Sequence, residues 1–163
     1  MKKTNKGFTL IELLVVIAII GILSAIVLAS LSNARTKAND TKVKGQLSGI
    51  RAAAEIYYGV NNNYGPTVSS CTAATSLFTD TASGAGLAGL LASGNYPAGT
   101  SLDCGSSGTA WSVAASLSTA SSWWCVDSTG ASKGTQGTGV TGYTALTGAG
   151  TAAHTAAGAT VCN

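Results

Sequence analysis

Charge, proline and histidine are scarce in this chain. Of its 163 residues only 9% are charged, two are proline and one is histidine. Beyond Arg51 the only lysine or arginine is Lys133, so the later two thirds lack the basic face by which proteins hold nucleic acid. We therefore expect no nucleic-acid partner.

The chain also lacks the residue clusters of common active sites and metal sites. His154 has no acidic residue close to it in sequence, and Asp80, Asp103 and Asp127 are too far apart for a calcium loop. The zinc-protease pattern H-E-x-x-H and the phosphate-binding loop pattern do not occur. These absences predict that the protein is not an enzyme and holds neither a metal ion nor a cofactor.

What the chain does have is a long apolar run near its start. Residues 13–32 carry no charge over twenty positions, and as a helix rising ~1.5 Å per residue they match a hydrocarbon core of ~30 Å. Lys2, Lys3 and Lys6 precede the run without any acid, so the positive-inside rule places residues 1–7 in the cytoplasm. The sequence predicts a single-pass membrane precursor whose remaining residues lie outside.

Two residues at the start of the apolar run do not fit an ordinary secretory signal. Gly7, the small-residue break, lies before the run, whereas signal peptidase cuts after it. Glu12 places a carboxylate inside the run, which makes it a functional hypothesis by default. A free amino group on Phe8, created by cleavage after Gly7, would give Glu12 a positive partner on a neighbouring subunit. The alternative is an uncleaved signal anchor that tolerates this glutamate.

The segment K-G-F-T-L-I-E at residues 6–12, followed by the apolar run, resembles the class III signal of type IV prepilins and pseudopilins. The resemblance implies that a prepilin peptidase cuts after Gly7 and N-methylates Phe8. It also implies that Glu12 is the fifth mature residue, which assembly uses, and that Gly21 is the glycine that weakens the helix. Loss of the leader, residues 1–7, would leave six basic and six acidic side chains.

After the transmembrane part, residues 8–32, the helix is expected to continue as an amphipathic half over residues 33–59. Its apolar positions step by four and three, which places them on one helical face. These positions are Val43, Leu47, Ile50, Ala54 and Tyr57. We expect this face to hold a distal head.

The head, residues 60–163, is predicted to contain an antiparallel hairpin. Apolar and polar side chains largely alternate over residues 111–117, as in a strand with one buried face. A polar break follows, and then a second run rich in strand-forming side chains at residues 123–127. Trp111, Trp123 and Trp124 could offer a binding face, but core and edge packing is the commoner role at this spacing. Residues 128–160 are of low complexity and are expected to be loop or disordered.

Four cysteines follow the membrane segment, at positions 71, 104, 125 and 162. An even number in an exported region is typical of two disulfides, and no C-x-x-C pair supports the zinc alternative. Three pairings are possible, and we favour Cys71–Cys104 with Cys125–Cys162. The predicted fold is therefore α+β, with a long N-terminal helix packed on a small antiparallel sheet that disulfides staple.

Taken with the resemblance, these features predict a structural subunit of a type IV pilus-like filament that serves adhesion or motility. Its expected partners are further copies of itself, a prepilin peptidase and an inner-membrane assembly platform. It is expected in the membrane as a precursor and then in a cell-surface filament. The alternatives are a pseudopilin of a type II secretion system, or a minor pilin that acts as an adhesin or a DNA-uptake module.

Overall fold

The computed structural model describes residues 7–119, 122–135 and 162. This part of the chain contains the helices α1 (Leu10–Asn61) and α2 (Leu87–Leu90), then the strands β1 (Leu102–Ser106), β2 (Trp111–Ser116), β3 (Trp123–Asp127) and β4 (Ser132–Thr135). The chain divides into two compact units, Met1–Thr36 and Lys37–Asn163. In the described residues the first unit is helical, and the second holds the rest of α1 and every strand.

The first unit exposes a continuous apolar surface. Its large apolar side chains range from 84% exposed at Phe8 to 46% exposed at Leu31. By length and composition α1 is able to cross a membrane. Because apolar area in contact with water costs ~25 cal/mol per Å², a surface of this size needs a cover of lipid or protein.

The second unit buries the helical face that the sequence predicts. Val43, Leu47, Ile50 and Ala54 are fully buried, and Tyr57 is nearly so. They form one cluster with side chains of the loops, of α2 and of the sheet, among them Phe78, Leu87, Trp111, Val113 and Val126. The prediction that this face holds the head is confirmed.

The strands form a four-stranded antiparallel meander in the order β1-β2-β3-β4. The predicted hairpin is present, with Val113 paired to Val126 across β2 and β3. Alternation then separates two faces: Trp111, Val113 and Ala115 join the helix-side cluster, whereas Ala114 and Cys125 form a second cluster with Cys162. The α+β prediction is confirmed.

Part of the low-complexity prediction is wrong. Residues 132–135, expected to be loop or disordered, form strand β4, while residues 136–160 lie outside the described residues. Gly134 pairs with Trp124, whose ring occupies the space a side chain would need. Arg51 holds the start of the strand by donating to Ala131 O at 2.7 Å and to Ser132 Oγ at 3.2 Å. Tertiary contacts thus order a segment of low strand propensity.

The end of α1 lies slightly beyond its predicted position. The helix passes Gly59 and ends at Asn61. Asn62 then adopts a positive φ of 55°, and its N–H donates to Tyr58 O at 2.7 Å. Asparagine tolerates this left-handed conformation better than most residues, so it terminates the helix as a glycine would.

The structure joins Cys71 to Cys104 and Cys125 to Cys162. The first disulfide ties the loop after α1 to β1. The second ties β3 to Cys162. The sheet is therefore stapled once to the preceding loop and once to the C-terminal end of the chain.

We predict that Gly134→Ala destabilises the head, because a Cβ there would lie 2.7 Å from Trp124 Cε3. The expected loss is about 1–3 kcal/mol, which is typical of overpacking. Urea unfolding followed by tryptophan fluorescence measures it. Gly108→Ala is the matched control, since a Cβ at Gly108 meets nothing within 4 Å. Equal stability of the two variants would contradict this account of β4.

Candidate functional site

The start of α1 is closed by a reciprocal pair of residues, Thr9 and Glu12. Glu12 N–H donates to Thr9 Oγ1 at 3.3 Å, and Glu12 Oε2 accepts from Thr9 N–H at 2.8 Å and from Thr9 Oγ1–H at 2.7 Å. This arrangement is a capping box. It satisfies backbone donors that have no intrahelical partner, which matters most where water is excluded.

The Thr9 partner of Glu12 was not among the predictions, which gave the carboxylate only a positively charged partner. The spacing T-x-x-E at residues 9–12 is the signature of a capping box and was readable from the sequence. Within the described residues, the hydrogen bonds to the carboxylate all use Oε2. Since an ionised carboxylate offers about four acceptor positions, Oε1 remains available to a further donor.

The other predicted processing and assembly residues lie along the same segment. Gly7 and Phe8 precede the first helical turn, and both are exposed. Gly21 lies within α1, and a Cβ built on it would meet nothing within 4 Å. The leader lysines Lys2, Lys3 and Lys6 fall outside the described residues. The structure thus brings Gly7, Phe8 and Glu12 together at one helix start.

Polar residues on the second half of α1 hold the sheet and its turns. Asp40 accepts from Ser118 N–H at 2.6 Å and from Thr119 Oγ1 at 2.7 Å. Lys44 Nζ lies 4.4 Å from the centroid of the Trp124 ring, a cation–π contact. These contacts, like those of Arg51, join residues distant in sequence, so no local pattern indicated them.

The three tryptophans have distinct environments. Trp111 is fully buried in the helix-side cluster, and the Trp124 ring is close to both Gly134 and Lys44. Trp123 is half-buried and packs on the second cluster. With these packing roles the three rings do not form a shared platform of the kind that stacks sugars or bases.

The described residues contain no side-chain cluster of metal-binding type. No group of three or more histidine, cysteine or acidic side chains converges there. Residues 130–134, G-A-S-K-G, match the spacing of a hydrolase nucleophile elbow, which requires a strand-to-helix turn. Ser132 instead begins strand β4, and its hydroxyl accepts a hydrogen bond from Arg51.

Asp127 is a fully buried carboxylate at the end of β3. Its Oδ1 accepts from Thr129 N–H, Thr129 Oγ1 and Ala131 N–H, and its Oδ2 accepts from Cys162 N–H at 2.7 Å. Burial alone would raise the pKa of Asp127, but these hydrogen bonds outweigh it, so the pKa lies below its ordinary value. The group is therefore ionised at neutral pH.

The fold and the helix start define a class: a protein with a disulfide-stapled α+β head and an exposed apolar N-terminal helix. Comparison with known proteins specifies it further. Residues 2–28 match the prokaryotic N-terminal methylation motif. The chain is 50% identical to the major component of the type IV wide pilus of Thermus thermophilus over 62 aligned residues. The alignment covers 38% of this chain and 47% of that protein.

Two further relatives represent the two branches of the predicted resemblance. The type IV major alpha-pilin of Moraxella bovis is 50% identical over 51 residues, 31% of this chain and 32% of the relative. Core protein G of the type II secretion system of Klebsiella michiganensis is 35% identical over 63 residues, 39% of this chain and 44% of the relative. Each alignment thus spans less than half of the relative. The resemblance to type IV pilins and pseudopilins is confirmed over these lengths.

We predict that Asp127→Asn lowers the free energy of unfolding at neutral pH and that the difference from the wild type disappears in acid. The folded-state pKa is depressed, so the stabilisation is fully present above the unfolded pKa near 3.8 and is lost as pH falls through the folded value. Urea unfolding between pH 7 and pH 2 measures the gap.

Thr129→Ala is the matched variant for this measurement. It removes one hydrogen bond to Asp127 Oδ1 and keeps the carboxylate. Its difference from the wild type in free energy of unfolding should therefore be smaller and should also decrease in acid. A gap for Asp127→Asn that is the same at every pH would mean that the charge on Asp127 does not stabilise the head.

Proposed function

We propose that this chain is a structural subunit of a type IV pilus-like filament, made as a membrane precursor and assembled through its N-terminal helix. The observation that carries the proposal is the methylation motif at residues 2–28 on a helix whose apolar side chains are exposed. Such a surface suits lipid before assembly and other copies of the helix afterwards.

Processing would begin at Gly7. A prepilin peptidase would cut between Gly7 and Phe8, remove Lys2, Lys3 and Lys6 with the leader, and N-methylate Phe8. Both residues at the cleavage point precede α1 and are exposed, so the scissile bond lies in chain that no helical hydrogen bond protects. An inner-membrane platform would then add the mature subunit to the filament.

Glu12 would have two roles in this account. Its Oε2 caps the helix through Thr9, and its Oε1 would accept the N-terminal amino group of a neighbouring copy. An ion pair in a medium without water is strongly favoured over an uncompensated carboxylate. The pair would therefore fix the axial register between neighbouring subunits.

A pseudopilin of a type II secretion system is the second candidate, because core protein G of such a system is also a relative. Two observations favour the pilus. Identity reaches 50% with two pilus components against 35% with that secretion protein, and two disulfides suit a filament exposed outside the cell. We propose that the filament serves adhesion or motility and that the chain is not an enzyme. The scarcity of basic side chains after Arg51 argues against a role in DNA uptake.

We predict that Gly7→Val abolishes leader removal, since a branched side chain replaces the small residue at the cleavage point. Intact-mass measurement of the subunit from cell envelopes should show residues 1–7 retained and no methyl group. Thr4→Val, inside the leader, is the matched control and should be processed normally. Removal of residues 1–7 from Gly7→Val to the same extent as from the wild type would contradict cleavage that depends on Gly7. Retention of residues 1–7 in the wild type would point to a plain membrane anchor.

We predict that Glu12→Gln supports helix capping but not filament assembly. Glutamine can still accept the Thr9 hydrogen bonds of a capping box, yet it has no charge for a neighbour's amino group. Filament yield after shearing should fall at least tenfold for Glu12→Gln and Glu12→Ala alike, as expected for loss of a charge pair of ~1.4 kcal/mol or more.

Thr9→Val completes this test, because it removes the capping hydroxyl and keeps the charge on Glu12. The charge-pairing account expects Thr9→Val to assemble better than Glu12→Gln. The opposite order, with Glu12→Gln at wild-type yield and Thr9→Val deficient, would assign Glu12 to capping alone.

A further inference from the structure

Cys162 is held by a carboxylate as well as by a disulfide. Its N–H donates to Asp127 Oδ2 at 2.7 Å, and its sulfur is bonded to Cys125, two residues before Asp127. Cys162 is 2% exposed and Asp127 is fully buried. Both contacts therefore come from one strand, β3, inside the protein.

The other oxygen of Asp127 builds the turn that follows β3. Oδ1 accepts from Thr129 N–H at 2.9 Å, from Thr129 Oγ1 at 2.7 Å and from Ala131 N–H at 3.0 Å. These partners lie two to four residues along the chain, as in other aspartate-centred turns. The turn can thus form locally and orient the carboxylate before a residue 35 positions away arrives.

We propose that Asp127 is a positioning residue for disulfide formation: its Oδ2 captures the backbone amide of reduced Cys162 and so selects Cys125, rather than Cys71 or Cys104, as the partner of Cys162. This role concerns folding of the head and does not rest on filament assembly.

Chain length selects only weakly among the possible cysteine pairings. Cys125 and Cys162 are separated by 37 residues, whereas Cys104 and Cys125 are separated by 21 (125 minus 104). For Cys162 itself, Cys125 is nearer than Cys104, at 37 against 58 residues (162 minus 104). These loops differ by less than a factor of two in length, and the cost of loop closure grows only slowly with length, so chain length does not fix the pairing by itself.

Apolar attraction at this point is also weak. The cluster around Cys162 consists of Ala114 and Cys125, with Trp123 and Ala131 only partly buried against it. The small apolar cluster gives Cys162 no preferred orientation. A buried ionised carboxylate does, because a charge-assisted hydrogen bond fixes the direction and the distance of the N–H. That bond places Cys162 beside Cys125, on the face of the sheet opposite to Cys104.

The covalent step needs a disulfide oxidant, for which oxidised glutathione is the probe. The thiolate of Cys162 attacks the glutathione disulfide and releases one glutathione. The thiolate of Cys125 then attacks the protein sulfur of that mixed disulfide and releases the second. Two protein thiols are oxidised, one glutathione disulfide is reduced, and both protons end on glutathione.

The test is oxidative refolding of the full chain in detergent micelles, wild type against Asp127→Asn, with glutathione buffer and non-reducing peptide mapping. Asparagine cannot replace the carboxylate fully, because its amide nitrogen donates and cannot accept, so only one of the two acceptor oxygens remains. The native Cys125–Cys162 peptide should fall, and Cys104–Cys125 or Cys71–Cys162 peptides should appear. At equilibrium the Cys125–Cys162 bond should become about tenfold easier to reduce, as expected for loss of one charge-assisted bond.

Two comparisons separate positioning from general stability. Among natively paired molecules of Asp127→Asn, the Cys71–Cys104 bond should be reduced by glutathione as in the wild type. A merely structural role would weaken both disulfides. Thr129→Ala, which loses a donor to Oδ1 and keeps Oδ2, should form the native pairs. Native pairing at wild-type yield in Asp127→Asn, or equal weakening of both disulfides, would overturn the proposal.

A second measurement covers the case in which Asp127→Asn does not fold. In Cys125→Ser/Cys162→Ser the second disulfide cannot form, while Cys71–Cys104 remains. Hydrogen exchange by nuclear magnetic resonance then reports on the amide at position 162. Exchange at least tenfold slower than in an unstructured peptide would show capture without the covalent bond, and exchange at the unstructured rate would overturn the proposal.

Discussion

The apolar surface of α1 is the constraint on which the rest of the protein depends. In the unit Lys37–Asn163 the chain covers its own helix, because the loops and the sheet bury the face that contains Leu47 and Ile50. In the unit Met1–Thr36 the large apolar side chains of the described residues stay exposed. The two parts of α1 thus need different covers: the chain's own loops and sheet for the later part, and lipid or protein for the earlier part.

That division explains the character of the head. A four-stranded meander encloses a small core, and small cores usually need covalent support. Two disulfides supply it, while Asp40, Lys44 and Arg51 extend polar contacts from the helix to the sheet and its turns. The head can therefore be poor in charge and large side chains and still present an ordered surface.

The parts of the fold that were predictable are those with a local periodic signal. The spacing of Val43, Leu47 and Ile50 indicated the buried helical face, and the alternation from Trp111 onward indicated β2. The segment before the apolar run indicated the methylation motif. In each case the residues that produce the feature are close together in sequence, so their spacing alone indicates it.

The parts that were not predictable depend on contacts between distant residues. Strand β1, with the sequence LDCGS, has weak strand propensity, and β4 is ordered by Trp124 and Arg51 rather than by its own side chains. The bond from Cys162 to Asp127 spans 35 residues. The capping box of Thr9 and Glu12 is different, because its signal, the spacing T-x-x-E, is local and could have been predicted.

The most direct test of the central claim is mass spectrometry of filaments sheared from the native cells. The account predicts that this chain is a dominant component and that its N-terminal peptide begins at Phe8 with one added methyl group. Retention of Met1 in the cellular protein, with no copy of the chain in the filaments, would contradict it.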